Sequence, residues 1–273
     1  MKKFFKTIAC LTVMAAMTMG ASMAQGEQTA NASSKKTEFS LHLGGAFPMS
    51  DFGDSRANRG LVAWLDKTEK AGAGTGFDAG MKFKFNIPSI NGLGVILTAD
   101  FFYNGPNNDV KDWIDDPIYS YIYDDEFDDA EITAPKYINI PIMLGVNYDY
   151  TINEKISVWG EAGIGANIRK MTMLKQYLSS GDVELIIKQK YDITTTFAFQ
   201  IGAGLKLMDK VSLGLHYYAL GSGKVKGMVS EEYIENYVGG EYEYLDGDFT
   251  LRGDFTLRYV NPTMFVIRLG YHF

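Results

Sequence analysis

The sequence predicts an all-β fold: a single antiparallel transmembrane β-barrel of eight strands, with short turns on one side and long loops on the other. Three observations predict it. The one long apolar stretch lies at the N-terminus and has the layout of an export signal. Downstream, segments with two-residue alternation recur, each long enough to cross a bilayer when tilted, at ~9–11 residues per strand. The connections between them alternate between tight turns and long polar stretches.

The N-terminus comes first in this order. Lys2, Lys3 and Lys6 precede an apolar core from Ile8 to Met19, and Gly20-Ala21-Ser22-Met23-Ala24 follows. A basic start, a short apolar core and small residues before a cut describe a secretory signal peptide over residues 1–24. That core is too short to span ~30 Å of hydrocarbon as an anchor. Cys10 does not make a lipoprotein signal, because Thr7 stands where a large aliphatic residue is needed. Removing residues 1–24 takes away three lysines and no acids, so the formal charge moves from −7 to −10. Such a balance excludes nucleic acid as a partner, since that demands a basic face. Cys10 is the single cysteine, so the exported chain has no disulfide. Residues 25–37 (QGEQTANASSKKT) read as a flexible leader, and residues 38–273 as the barrel domain. A mean hydropathy of −0.10 excludes a bundle of membrane helices.

The strands follow in order. Phe39, Leu41, Leu43, Gly45 and Phe47 alternate with Ser40, His42, Gly44 and Ala46. Phe77 to Phe85 puts Phe, Ala and Met on one face and Asp78, Gly80, Lys82 and Lys84 on the other. Leu93 to Tyr103 sets an apolar face against Gly94, Thr98 and Asp100. The clearest segment is YINIPIMLGVNYDY, Tyr137 to Tyr150, where Ile138, Ile140, Ile142, Leu144 and Val146 oppose Asn139, Met143, Asn147 and Asp149. Lys155 to Arg169 opposes Ile156, Val158, Ile164 and Ile168 to Trp159, Glu161, Asn167 and Arg169. Thr195 to Lys206 opposes Phe197, Phe199 and Ile201 to Gln200 and Lys206, and Val211 to Tyr218 opposes three aliphatics to Ser212, Gly214 and His216. The eighth segment, FVIRLGYHF, alternates Phe265, Ile267, Leu269, Tyr271 and Phe273 with Val266, Arg268, Gly270 and His272. Ten strands result if the region from Ser222 to Asn261 inserts another hairpin.

Pro88–Gly92, Thr151–Glu154 and Met208–Lys210 are tight turns built on Asn, Asp, Gly and Pro. The stretches Ser50–Gly74, Gly105–Pro135, Met171–Asp192 and Ser222–Asn261 are long and polar. Short turns on one side and long loops on the other are the habit of outer-membrane barrels, with both termini on the periplasmic side. A soluble barrel also alternates, with its apolar face inward. Composition decides. The apolar stripes are bulky and uncharged, whereas the opposite stripes mix glycine with charges of both signs, as a cramped interior of paired side chains requires. A charged residue facing lipid at the midplane would cost ~2–4 kcal/mol. Closure requires the last strand to pair with the first, because an open edge in lipid is prohibitive. The expected lumen network is Asp78, Lys82, Asp100, Glu161, Arg169, Gln200, Lys206, His216 and Arg268.

On its signal peptide, the YINIPIMLGVNY strand, the Gly-rich GEAGIGANI strand and a last strand ending in Phe, the chain resembles the small outer-membrane β-barrel proteins of the porin-family or PorT-like type. That resemblance covers Glu38 to Phe273. It implies the outer membrane of a Gram-negative-type cell, and a final strand read by the barrel-assembly machinery through Phe265, Ile267, Leu269, Tyr271 and Phe273.

Candidate chemistry is sparse. His42, His216 and His272 all fall on the inner face, but no spacing links them to Ser40, Ser212 or Glu161 as a nucleophile and an orienting acid require. The acidic run Asp124 to Asp129 lacks the spacing and glycine of a calcium loop and reads as a solvated surface. Tyr119, Tyr121 and Tyr123 suggest a strand beyond the bilayer, and Gly60 to Ala71 a short helix. GDFTLRGDFTLR, Gly247 to Arg258, is a tandem repeat that lengthens the last hairpin. The expectation is therefore a non-enzymatic barrel without cofactor or metal, with a filled polar lumen and a structural or loop-mediated binding role. Its partners are outer-membrane lipid, the assembly machinery and a loop ligand the sequence does not name. The alternatives are a small channel and, behind it, a lipid-modifying enzyme.

Overall fold

Where side chains alternate between lipid-compatible and polar, the backbone extends and pairs. The computed structural model describes residues 36–54, 70–115, 129–180, 183–235, 249–257 and 261–273. In chain order its strands are β1 (Thr37–Met49), β2 (Ala73–Asn86), β3 (Leu93–Pro106), β4 (Asp129–Thr133), β5 (Tyr137–Asn153), β6 (Ile156–Met171), β7 (Leu174–Ser180), β8 (Val183–Tyr191), β9 (Thr194–Leu207), β10 (Val211–Ala219), β11 (Val225–Glu235), β12 (Phe249–Leu257) and β13 (Thr263–His272). Two short helices, α1 (Ser50–Gly53) and α2 (Asn108–Asp115), follow β1 and β3. The predicted signal peptide, nearly all of the leader, most of the Gly60–Ala71 helix, the alternating tyrosines and the acidic run up to Asp128 lie outside the described residues.

Eight strands close into a barrel in the order β1-β13-β10-β9-β6-β5-β3-β2, every neighbouring pair antiparallel. These are the eight predicted segments. The seam joins the two ends of the domain: Leu43 stands opposite Leu269, and the Phe273 N–H donates to the Phe39 carbonyl at 2.9 Å. The β2–β3, β5–β6 and β9–β10 hairpins are tight. Met208 and Asp209 take positive φ in the last of them, the twist a two-strand turn favours. Gly92 is required at φ +81°, where a Cβ would also strike the Asp149 carbonyl.

The inside-out pattern is plain in the burial. Leu43, Leu144, Ile164, Phe197, Ile201 and Leu269 are outward and exposed, Leu144 at 60%. Residues at the alternate, inward positions, such as Asp78, Asp100, Asn147 and Arg268, are buried in the lumen, Asn147 at 2%. Aromatic rings gather at the short-turn rim beside the seam, where Phe39 packs between Phe83 and Phe273 with centroids 4.7 and 5.6 Å away, and Tyr271 meets Phe273 edge-on. Such a belt is the residue choice of a membrane–water boundary.

The long connections depart from expectation. Rather than loops, three of them carry strands of a second, five-stranded sheet ordered β12-β11-β8-β7-β4. Its order follows that of the barrel strands it continues, β13, β10, β9, β6 and β5. The Ser222–Asn261 region does form a hairpin, β11–β12, yet it joins this outer sheet and leaves the barrel at eight. Beyond the bilayer, water on the outer face no longer forces every second residue to be apolar. Segments such as VELIIKQKY therefore lose the alternation that marks the barrel strands.

Candidate functional site

Inward-facing glycines make room for large polar side chains. A Cβ on Gly80 would meet the Asp100 carboxylate and the His42 ring, one on Gly202 the His216 ring, and one on Gly214 the Trp159 indole at 2.6 Å. Into this space project three clusters.

The central cluster joins five barrel strands, β1, β2, β3, β10 and β13. Arg268 on β13 donates through Nε and Nη2 to the two oxygens of Asp78 on β2, and its Nη2 lies 3.3 Å from Asp100 Oδ1 on β3. Asp100 also holds His42 Nε2 at 2.7 Å and accepts from the Tyr218 hydroxyl at 2.9 Å. The guanidinium stacks 4.9 Å from the Tyr218 ring centre and 5.8 Å from Phe102. A second cluster centres on Glu161, which accepts from Lys82 Nζ at 2.9 Å and lies 3.5 Å from His216 Nδ1, while the Lys82 ammonium sits over the Trp159 ring. The third closes the short-turn end: Lys206 donates to Glu38 at 2.7 Å, Lys84 to Asp149 at 2.6 Å, and His272 bridges Glu38 and Ser212 at 2.7 and 2.9 Å. Buried charges tolerate a low dielectric only when paired this way.

Seven of the nine predicted lumen residues, Asp78, Lys82, Asp100, Glu161, Lys206, His216 and Arg268, fall into these clusters. Arg169 and Gln200 do not. Arg169 is buried towards the long-loop end and donates from Nη2 to the Gly221 carbonyl at 2.7 Å. The Gln200 amide is buried beside Gly163 without a hydrogen-bond partner among the described residues. Glu38, His42, Lys84, Asp149, Trp159, Ser212, Tyr218 and His272 also belong to the clusters and stand outside the predicted set, although alternation alone puts each on the inner face. Phe265, Ile267, Leu269, Tyr271 and Phe273 all face outward on or beside β13.

Little space remains. A void of about 20 Å³ lies among Ser40, His42, Lys82, Thr98, Trp159, Glu161, Ser212, His216 and Arg268, room for a single water. Towards the long-loop end, Ala46, Phe102, Met143, Ala198, Tyr218, Met264 and Val266 fill the lumen with apolar bulk. This packing continues through Tyr137, Met171, Leu174, Leu220 and Val225 to the foot of the outer sheet. The lumen is thus occupied by ion pairs at one level and by packed hydrocarbon at the next.

Two arrangements invite chemistry. Ser212, His272 and Glu38 form a hydroxyl–imidazole–carboxylate chain with the contact lengths of a nucleophile, its base and an orienting acid. No sequence spacing shows it, because the three residues come from β10, β13 and β1 and meet only on closure. The Ser212 hydroxyl borders the single-water void, which leaves no room beside it for an acyl group. His42, Asp78 and Asp100 bring ligand atoms within 4.8 Å of one another, but the Arg268 guanidinium already bonds both carboxylates and repels a metal cation there.

The outer sheet turns one side of β7, Leu174, Gln176 and Leu178, into the structure. On it Lys188 donates to Glu232 at 2.8 Å across β8 and β11, and that hydrogen bond holds the Glu232 carboxyl below its ordinary range. Near α1, Lys70 donates to Asp51 and Asp54 at 2.6 and 3.0 Å, and these bonds hold its ammonium above its ordinary range.

No family model matches the sequence, and no curated protein matches it. Among solved structures the chain is similar to the outer membrane protein OprG from Pseudomonas aeruginosa, with 16% identity over 88% of this chain and 97% of that one and a TM-score of 0.41. It is similar to a major outer membrane protein from Thermus thermophilus, with 14% identity over 88% and 100% of the two chains and a TM-score of 0.40. It is also similar to Ail, the attachment invasion locus protein of Yersinia pestis, with 16% identity over 88% and 100% and a TM-score of 0.35. Likeness at this level bears on no ligand, activity or partner of this chain.

Proposed function

We propose that this chain is an integral outer-membrane protein of a Gram-negative-type cell, closed to solutes, that acts through the sheet it holds outside the bilayer rather than by catalysis. The observation that carries this reading is the inverted barrel: hydrocarbon outside, and inside a lumen filled by ion pairs with a void of about 20 Å³. Lipid is the solvent for the outward face, and the aromatic rim at Phe39, Phe83, Tyr271 and Phe273 fixes its depth. Residues 1–24 export the chain, and the outward stripe Phe265, Ile267, Leu269, Tyr271 and Phe273 is the signal that the assembly machinery reads, as the porin-family or PorT-like resemblance implies. No cofactor or metal takes part.

Refolded protein in planar bilayers tests the reading. A closed barrel migrates faster on gels unboiled than boiled and gives no stable conductance steps. Steady single-channel openings in heat-modifiable protein would establish the channel alternative instead.

A further inference from the structure

β12 is the edge of the outer sheet, and among the described residues no strand pairs with its free side. An unpaired edge outside the membrane is a template for another strand. The sequence of this edge is unusual. FTLRGDFTL is cut from the tandem repeat GDFTLRGDFTLR, and it complements itself when turned end for end about Gly253. In that register Arg252 stands opposite Asp254, Leu251 opposite Phe255, Thr250 opposite Thr256, and Phe249 opposite Leu257. Each charge meets its opposite and each apolar residue meets an apolar one. Within the chain the pattern is not used: against β11, Arg252 stands opposite Ser230 and Asp254 opposite Met228. Both charged residues are exposed, and neither has an ionic partner among the described residues.

We propose that β12 pairs antiparallel with β12 of a second copy of this chain, across a twofold axis through Gly253, and so joins two outer sheets into one. The inference rests on the outer-membrane reading above and names the partner of its sheet. A twofold contact is isologous, so the single Arg252–Asp254 match is made twice. Gly253 meets Gly253 on the axis, where no side chain obstructs close approach.

The direction of the strand decides where the second copy sits. Leu257 pairs with Val225, which packs in the core that continues into the barrel, so β12 runs towards its own barrel. An antiparallel partner runs the other way, and its barrel lies at the far end of the joined sheet. Two barrels side by side in one bilayer cannot meet in this manner. The second copy belongs to a facing membrane, and the contact joins membranes.

Charge reversal tests this with the full chain refolded into phosphatidylcholine vesicles, where protease accessibility of β12 reports the outward population and gel mobility of unboiled protein reports the closed barrel. Wild-type vesicles should cluster, read by turbidity and light scattering. Arg252→Asp and Asp254→Arg each set like charges opposite one another twice, and each should lower clustering by about tenfold. Mixing the two single-variant populations should restore it, because every cross-strand contact again joins Asp to Arg. The double variant R252D/D254R should cluster as wild type does. Wild-type vesicles that stay dispersed while the barrel is closed and β12 is outside would overturn the proposal. So would single variants that cluster normally, or a mixture no better than its components. Those results leave the barrel standing, whereas loss of heat-modifiability would count against the outer-membrane reading itself and stable conductance against its closed lumen.

Discussion

Arg268 shows most sharply what the lumen demands of single residues. Its guanidinium neutralises two carboxylates that would otherwise face one another without water. Arg268→Met should lower the unfolding free energy by about 3–5 kcal/mol, because it leaves buried charge unpaired. Adding Asp78→Asn and Asp100→Asn to it should recover part of the loss, since the penalty lies in the orphaned charges rather than in the missing bonds. Urea titration in micelles, followed by Trp159 emission in a Trp64→Phe/Trp113→Phe background, measures both. Ser212 makes the opposite point. Its contacts with His272 resemble activation, yet the void beside it has room for only one water. Folded protein should therefore take no label from a fluorophosphonate probe, and labelling that Ser212→Ala abolishes would restore the enzyme reading. Most of the clustered residues can be read from alternation alone, which separates Asp149 from Tyr148 and Tyr150. The partner each residue finds cannot, because Glu38, Ser212 and His272 are neighbours only after β1, β10 and β13 close.

Among elements, the strands in lipid were readable and most of those outside it were not; the GDFTLR repeat is the exception, since a hairpin was expected there and β12 pairs with β11. Hydrocarbon tolerates no outward charge, so β5 and β13 carry uninterrupted apolar stripes. β8 and β11, with water on one side, do not, and KQK or SEE interrupts the pattern. The sequence therefore reads as eight strands and long loops, where the chain builds thirteen strands in two sheets among the described residues. β13 carries a second role under the assembly proposal, and the two roles separate experimentally. Phe273→Ser should cut the amount of folded protein in cell envelopes several-fold while leaving detergent refolding of the purified chain nearly unchanged. Equal loss in both would make Phe273 a packing residue of the Phe39 cluster alone.

At the scale of the whole molecule, one inversion organises everything else. The lumen is packed because charge must be paired there, the seam is closed because lipid leaves no backbone group unpaired, and the proposed binding role falls to the outer sheet because that sheet stands in water. That inversion can be read by tryptophan emission in a Trp64→Phe/Trp113→Phe background. A tryptophan at Leu144, with Trp159 also replaced by Phe, should be strongly quenched by lipids brominated on their acyl chains and little by aqueous acrylamide. Native Trp159, inside the cylinder, should be shielded from both. Quenching of Trp159 by brominated lipid, together with quenching of the Leu144→Trp indole by acrylamide, would place hydrocarbon inside and water outside and contradict the barrel described above.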